Sequence, residues 1–138
     1  MMRLYRSSMP LLLLSMIACT SLPEHTILQT VELMQAEHFI EGASFDLIKQ
    51  REGCLLQGTG YGESGKRDYT FYFDDKGITA AHYEESRYAQ PIYVDSNVKI
   101  VKTTKSVYKE NSEENEAFEA LFNDLQALIT QSNLAHCF

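Results

Sequence analysis

The stretch Gly60-Tyr61-Gly62-Glu63-Ser64-Gly65-Lys66-Arg67 comes nearest to a chemical signature in this sequence, with glycines and a lysine at the separation that cradles a phosphate. It departs from a phosphate-binding loop at two places. Arg67 stands where a serine or threonine would hold magnesium, and the β-type run Tyr69 to Phe73 follows where a helix start should receive the anion. No nucleotide is expected as a ligand. His25, His38, His82 and His136 are scattered, without the i, i+4 or short cysteine-histidine spacings that zinc needs, so no metal is predicted. Ser44, Ser64, Ser86 and Ser96 lack the G-x-S-x-G elbow, and no pair of carboxylates is set apart from the many on the chain. Neither Cys54 nor Cys137 lies in a C-x-x-C element, so no thiolate is activated for redox work. Catalytic residues and cofactors are expected to be none.

Cys19 is the side chain whose neighbours do specify a reaction. Arg3 and Arg6 precede an apolar run from Met9 to Ile17, which ends in Met16-Ile17-Ala18-Cys19. A basic start, an apolar core too short to span a bilayer and a small residue before the cysteine mark a removable targeting segment. The ending resembles the lipobox of bacterial lipoproteins, with Met16 where that family usually has leucine. The resemblance implies that residues 1–18 are a signal peptide that is removed. It implies too that the Cys19 thiol takes a diacylglyceryl group, and that three acyl chains, palmitate among them, hold the new N-terminus on the bilayer. Thr20 in place of aspartate after the cysteine implies sorting to the outer membrane, facing the periplasm. Residues 19–138 then form a single domain, long enough for one core. In an oxidising periplasm, Cys54 and Cys137 are expected to join as a disulfide.

Charge narrows the class of partner. The leader holds two of the twelve basic residues and none of the nineteen acidic ones, so the mature chain sets ten basic residues against nineteen acidic, a net charge of about −9. That balance argues against nucleic acid and against anionic head groups as surfaces for the folded domain. A basic protein partner is favoured electrostatically. Tyr61, Tyr69, Tyr72, Tyr83, Tyr88, Tyr93 and Tyr108 concentrate in the β part of the chain, between residues 61 and 108, where tyrosines on an exposed sheet face would make contact residues or shield the sheet by cross-strand pairing.

The elements that must position these residues read as α+β. Ser21-Leu22-Pro23-Glu24 has the form of a capping box, and Ile27, Val31 and Met34 follow at helical spacing, which predicts a helix from about Leu22 to His38 ended by Gly42. A strand over Ile27 to Leu33 is the competing reading. From Ala43 the pattern turns to short alternating runs: Phe45 and Leu47, a turn at Gly53, then Cys54 to Gln57. Gly58, Gly60, Gly62 and Gly65 are expected to form a polar connection. Tyr69, Phe71 and Phe73 alternate with Thr70 and Tyr72, and Asp74-Asp75-Lys76-Gly77 turns the chain into Ile78 to Tyr83, a β-hairpin. A last strand lies between about Tyr93 and Tyr108, with a phase slip at Val101 that suggests a bulge. Asn111 or Ser112 caps a final helix with Phe118, Leu121, Phe122, Leu125, Leu128 and Ile129 in one stripe. Both helices are expected on one face of an antiparallel sheet of about five strands.

Tyr61-Gly62-Glu63-Ser64-Gly65-Lys66-Arg67, the strand Tyr69 to Phe73 with its turn, Arg87-Tyr88 and Pro91-Ile92-Tyr93 together resemble an uncharacterised family of small bacterial envelope lipoproteins. Its members carry G-E-x-G-K, an aromatic Y-x-Y-F strand and a Y-x-x-P-I-Y element. The later aromatic strand of that family is reduced here to Val107-Tyr108. The resemblance implies fold and cellular address and brings no activity with it. The expectation is a membrane-anchored, non-enzymatic protein-binding module, of inhibitor or immunity type. Its contact surface would be drawn from Tyr61, Glu63, Lys66, Arg67, Tyr72 and Tyr88. A structural or assembly accessory of the outer membrane is the alternative, and a small-ligand carrier or enzyme comes third.

Overall fold

The structure is a computed structural model that describes residues 22–34, 39, 41–95, 97–109, 112–113 and 115–138. The expected leader and Cys19 lie outside the described residues. Six strands run in chain order as one antiparallel meander: β1 (Ile27–Leu33), β2 (Ala43–Lys49), β3 (Cys54–Gly62), β4 (Gly65–Asp74), β5 (Gly77–Tyr88) and β6 (Ile100–Val107). Two helices close the chain, α1 (Asn115–Ala127) and the short α2 (Gln131–Leu134).

The helix expected over Leu22 to His38 does not form between Ile27 and Leu33, which are β1, paired with β2 from Ile27 opposite Ile48 to Leu33 opposite Ala43. Two local features decide it. Pro23 and Glu24 enter a turn, in which the Thr26 hydroxyl donates to the Pro23 carbonyl at 2.7 Å, and His25 takes a left-handed φ of 66° that no helix accommodates. β-Branched Ile27, Thr30 and Val31 then favour an extended chain, with Val31 buried against the exposed Thr30 and Glu32 on the other face. The sheet therefore gains a sixth strand, and among the described residues its helical cover is C-terminal. His38 lies outside the described residues.

The expected glycine connection is corrected as well. Gly58, Gly60 and Gly62 belong to β3 and Gly65 to β4, which pair down to Gly62 opposite Gly65 and leave Glu63 and Ser64 as the turn. Glycine persists inside these strands because aromatic rings lie where side chains would be. A Cβ on Gly60 would stand 2.3 Å from the Phe39 ring, and one on Gly58 would stand 2.5 Å from the Phe45 ring. The last strand is shorter than expected, and Val101 is indeed the extra residue, since Arg87 pairs with Lys102 and Tyr88 with Ile100.

One face of the sheet, here called inner, meets the helices. Phe118, Leu121, Phe122 and Leu125 of α1 are buried there, with Phe122 against Phe71 and Phe73 at ring-centroid distances of 5.6 and 5.0 Å. Leu128, expected in the same stripe, is exposed, because α1 ends at Ala127 and the chain turns to bury Ile129 instead. The Gln29 side chain clips β1 to this region: its amide donates to the Leu128 carbonyl, and its oxygen accepts from the Thr130 backbone and the Asn133 side chain, each at 3.0 Å. Cys54 and Cys137 are joined as a disulfide, with Cα atoms 5.1 Å apart and both residues buried. It ties the C-terminal residues to the start of β3.

Candidate functional site

Antiparallel register sorts the inner face into rows. Gln29, Leu47, Leu56, Phe71 and Ala81 form a row under α1, beside the row of Cys54, Phe73 and Ile78, followed by Val31, Phe45, Gly58, Tyr69 and Tyr83, then Leu33, Ala43, Gly60, Arg67 and Glu85. The last row is Gly62, Gly65, Arg87 and Lys102. The first is covered by the helix. The middle rows are capped by Phe39, whose ring lies 5.7 Å from that of Phe45 and 5.8 Å, edge-on, from that of Tyr69. Beyond Phe39 the inner face opens into a cavity of about 570 Å³, bounded by Phe39, Glu41, Gly60, Gly62, Arg67, Glu85 and Arg87 and by the turn at Glu63 and Ser64.

The charged groups around this cavity fall into two sets. Glu85 is committed on both oxygens: the Tyr83 hydroxyl donates to one at 3.0 Å, and Arg87 Nε is 3.7 Å from the other. Lys66 holds Asp68 at 2.8 Å, and this partner raises the lysine's pKa. Arg67, Glu41 and Glu63, by contrast, make no ion pair among the described residues. The Glu41 carboxylate lies over Gly62, 3.6 Å from where a Cβ on that glycine would be. Such groups can hold a charged ligand from two sides. Among the described residues, no group of three or more His, Cys, Asp or Glu side chains gathers to hold a metal ion.

The chain matches no protein-family model, no curated protein and no solved structure. The site therefore has to be read from its own geometry. Of the residues singled out from the sequence, Tyr61, Glu63, Lys66 and Arg67 border the cavity. Tyr72 does not: it sits on the outer face towards the opposite end of the sheet, edge-on to His82 at 6.2 Å. Tyr88 is half-buried on the outer face, where its backbone N–H donates to the Ser64 carbonyl at 2.9 Å and braces the turn. Ile48, Leu55 and Ala80 share the cross-strand row of Tyr72, and the rest of the outer face carries polar cross-strand pairs, among them Thr30 to Asp46, Thr59 to Asp68 and Lys105 to Glu84. Phe39 and Glu85 escaped the sequence reading, which met Glu41 only beside His38 as a weak metal pair and Arg87 only within the family resemblance. The glycines at alternate positions 58, 60 and 62 were the available sign that a strand face there is filled from elsewhere.

Tyr83 gives the site a measurable titration. Burial first, and then its hydrogen bond to Glu85, push its pKa up to about 12, while burial also raises that of Tyr69. The unfolded chain releases the Tyr83 proton near the ordinary tyrosine value of about 10, whereas the folded chain keeps it. The stabilisation is thus complete below pH ~10 and is lost as pH rises through the folded value. Tyr83→Phe is expected to flatten the decline in unfolding free energy between those two pH values, measured by urea titration at each pH. An unchanged alkaline slope would contradict the assignment.

Proposed function

We propose that this chain is a lipid-anchored envelope protein whose domain is a non-enzymatic binding module, presenting the Glu63–Ser64 end of its sheet to a protein partner in the periplasm. The observation that carries the reading is the cavity at that end, where Arg67, Glu41 and Glu63 stand without ion pairs around a glycine-lined opening. Beside the cavity Glu85 is paired with Arg87 and Lys66 with Asp68, which leaves Arg67, Glu41 and Glu63, among the described residues there, open to another molecule.

Topology supports the same orientation. The first described residues lie beside the opposite end of the sheet, where the His25 N–H donates to the Lys49 carbonyl at 2.7 Å and the Lys49 N–H donates to that of Thr26 at 2.8 Å. A nine-residue strand, β3, separates that end from the Glu63–Ser64 turn, a span of roughly 30 Å at the usual rise per residue. With acylated Cys19 a few residues upstream of Leu22, the cavity points away from the outer membrane. A partner of basic character fits the acidic mature chain, as an inhibitor or immunity protein would require of its target.

The test is capture from solubilised envelopes of the native host with the full-length protein as bait. Wild type and Tyr72→Ala are expected to enrich the same polypeptide, and a Tyr61→Ala, Glu63→Ala double variant at the turn to lose it. No polypeptide enriched by wild type over the double variant would overturn the reading. Intact-mass measurement of the same material checks the anchor: a leader still attached, with no acyl chains at Cys19, would remove the envelope address.

A further inference from the structure

We infer that the cavity is a seat for an extended peptide segment bearing one basic and one acidic residue about three positions apart, with the base at Glu41 and Glu63 and the acid at Arg67 and Arg87. This rests on the reading of the chain as a protein-binding module and names what that site takes.

The argument begins with the spacing of the charges. Glu41 overlies Gly62 on β3, and Arg87 lies in register with Gly65 on β5, so the row runs from a carboxylate across two positions without side chains to a guanidinium. Adjacent strands are about 4.8 Å apart, which sets Gly62 and Arg87 at roughly 10 Å. An extended segment advances about 3.3 Å per residue, so residues three positions apart cover the same span. The floor between the charges is backbone at Gly62 and Gly65, with the Glu41 carboxylate standing over Gly62 at its edge, so no other side chain rises from that row between Glu41 and Arg87.

The charges are also held in a way that favours an external dipole. Glu85 fixes Arg87 from within the sheet and leaves the adjacent Arg67, opposite Gly60, uncommitted. No ion pair joins Arg67 to Glu41 or Glu63 among the described residues, so beside the paired Glu85 and Arg87 the site keeps one unpaired guanidinium and two unpaired carboxylates. A segment of a single charge would satisfy one wall and leave the other facing a like charge or none. One carrying both signs satisfies both. The segment crosses the strands instead of extending the sheet, because the backbone groups of β3, β4 and β5 are already paired on both sides.

The experiment uses the full chain in detergent micelles and the blocked tetrapeptide acetyl-Lys-Gly-Gly-Glu-amide, followed through the backbone amide resonances of Gly60, Gly62 and Gly65. Saturable shifts at these glycines are expected. Arg67→Glu and Glu41→Lys, both at exposed positions, should each weaken binding about tenfold, and peptides with glutamine in place of either charge should bind several-fold more weakly. Equal binding of acetyl-Gln-Gly-Gly-Gln-amide, or affinity unchanged in both variants, would overturn the seat. So would the absence of shifts at peptide concentrations of about 10 mM. The two proposals separate cleanly. An envelope partner retained in full by Arg67→Glu and Glu41→Lys keeps the binding module and removes the seat, whereas peptide binding without any envelope partner does the reverse.

Discussion

Replacing Cys54 and Cys137 together by alanine is expected to lower the unfolding free energy by about 4.5 kcal/mol, the chain-entropy value for a closed loop of this length. The bond spans 83 residues and so constrains β3 through α2 in the unfolded chain. For a domain of this size, that loss corresponds to a fall in melting temperature of roughly 15–20 °C. The effect has a local component too. Cys137 follows α2, and Phe138 sets its ring edge-on to Phe73 at 6.3 Å, so a released C-terminus also uncovers the Cys54 end of the inner face. Urea titration of the oxidised wild type, the reduced wild type and the double variant should give two coincident destabilised curves and one stable one. A shift of less than about 1 kcal/mol would show that the unfolded chain gains nothing from release of the loop.

The disulfide was legible because, with Cys19 set aside as the expected lipidation site, Cys54 and Cys137 were the one pair left. The Asp74–Gly77 hairpin was legible because alternation and turn chemistry agree there: the Asp74 carboxylate accepts from the Lys76 N–H at 2.8 Å. The α1 stripe was legible from its period. The N-terminal strand was not, since Ile27, Val31 and Met34 satisfy a helical period while Val31 and Leu33 satisfy a β-period. What decides between them is pairing with β2, a long-range contact that no local window contains. The site was the least legible part. Counted back from Asp74 opposite Gly77, an unbroken ladder would set Arg67 opposite Glu84. The register shift beside Tyr72 and Phe73 sets it opposite Glu85 instead. One extra residue, Thr79, thereby turns Tyr83, Glu85 and Arg87 onto the inner face and sends Glu84 to the outer one, where it meets Lys105.

Gly58→Ala is expected to destabilise the domain by about 3 kcal/mol, at the upper end of what one inserted methyl costs in a packed interior. The new Cβ would stand 2.2 Å from the Ser44 carbonyl oxygen as well as 2.5 Å from the Phe45 ring. The ring cannot simply yield, because Phe45 is fully buried and wedged between the rings of Phe39 and Tyr69. Backbone separation between β2 and β3 must then increase, which strains the ladder from Ala43 opposite Gly60 to Lys49 opposite Cys54. Gly62→Ala is the matched control: its Cβ has a nearest neighbour at 3.2 Å and sits at the cavity's edge, so a loss within about 1 kcal/mol is expected. The pair separates two uses of glycine on one strand face. Gly58 makes room for the protein's own aromatic core, and Gly62 lies under the Glu41 carboxylate at the edge of the cavity. Equal costs at the two positions would mean that the opening at Gly62 is required by the fold, and the case for a site there would lose its structural basis.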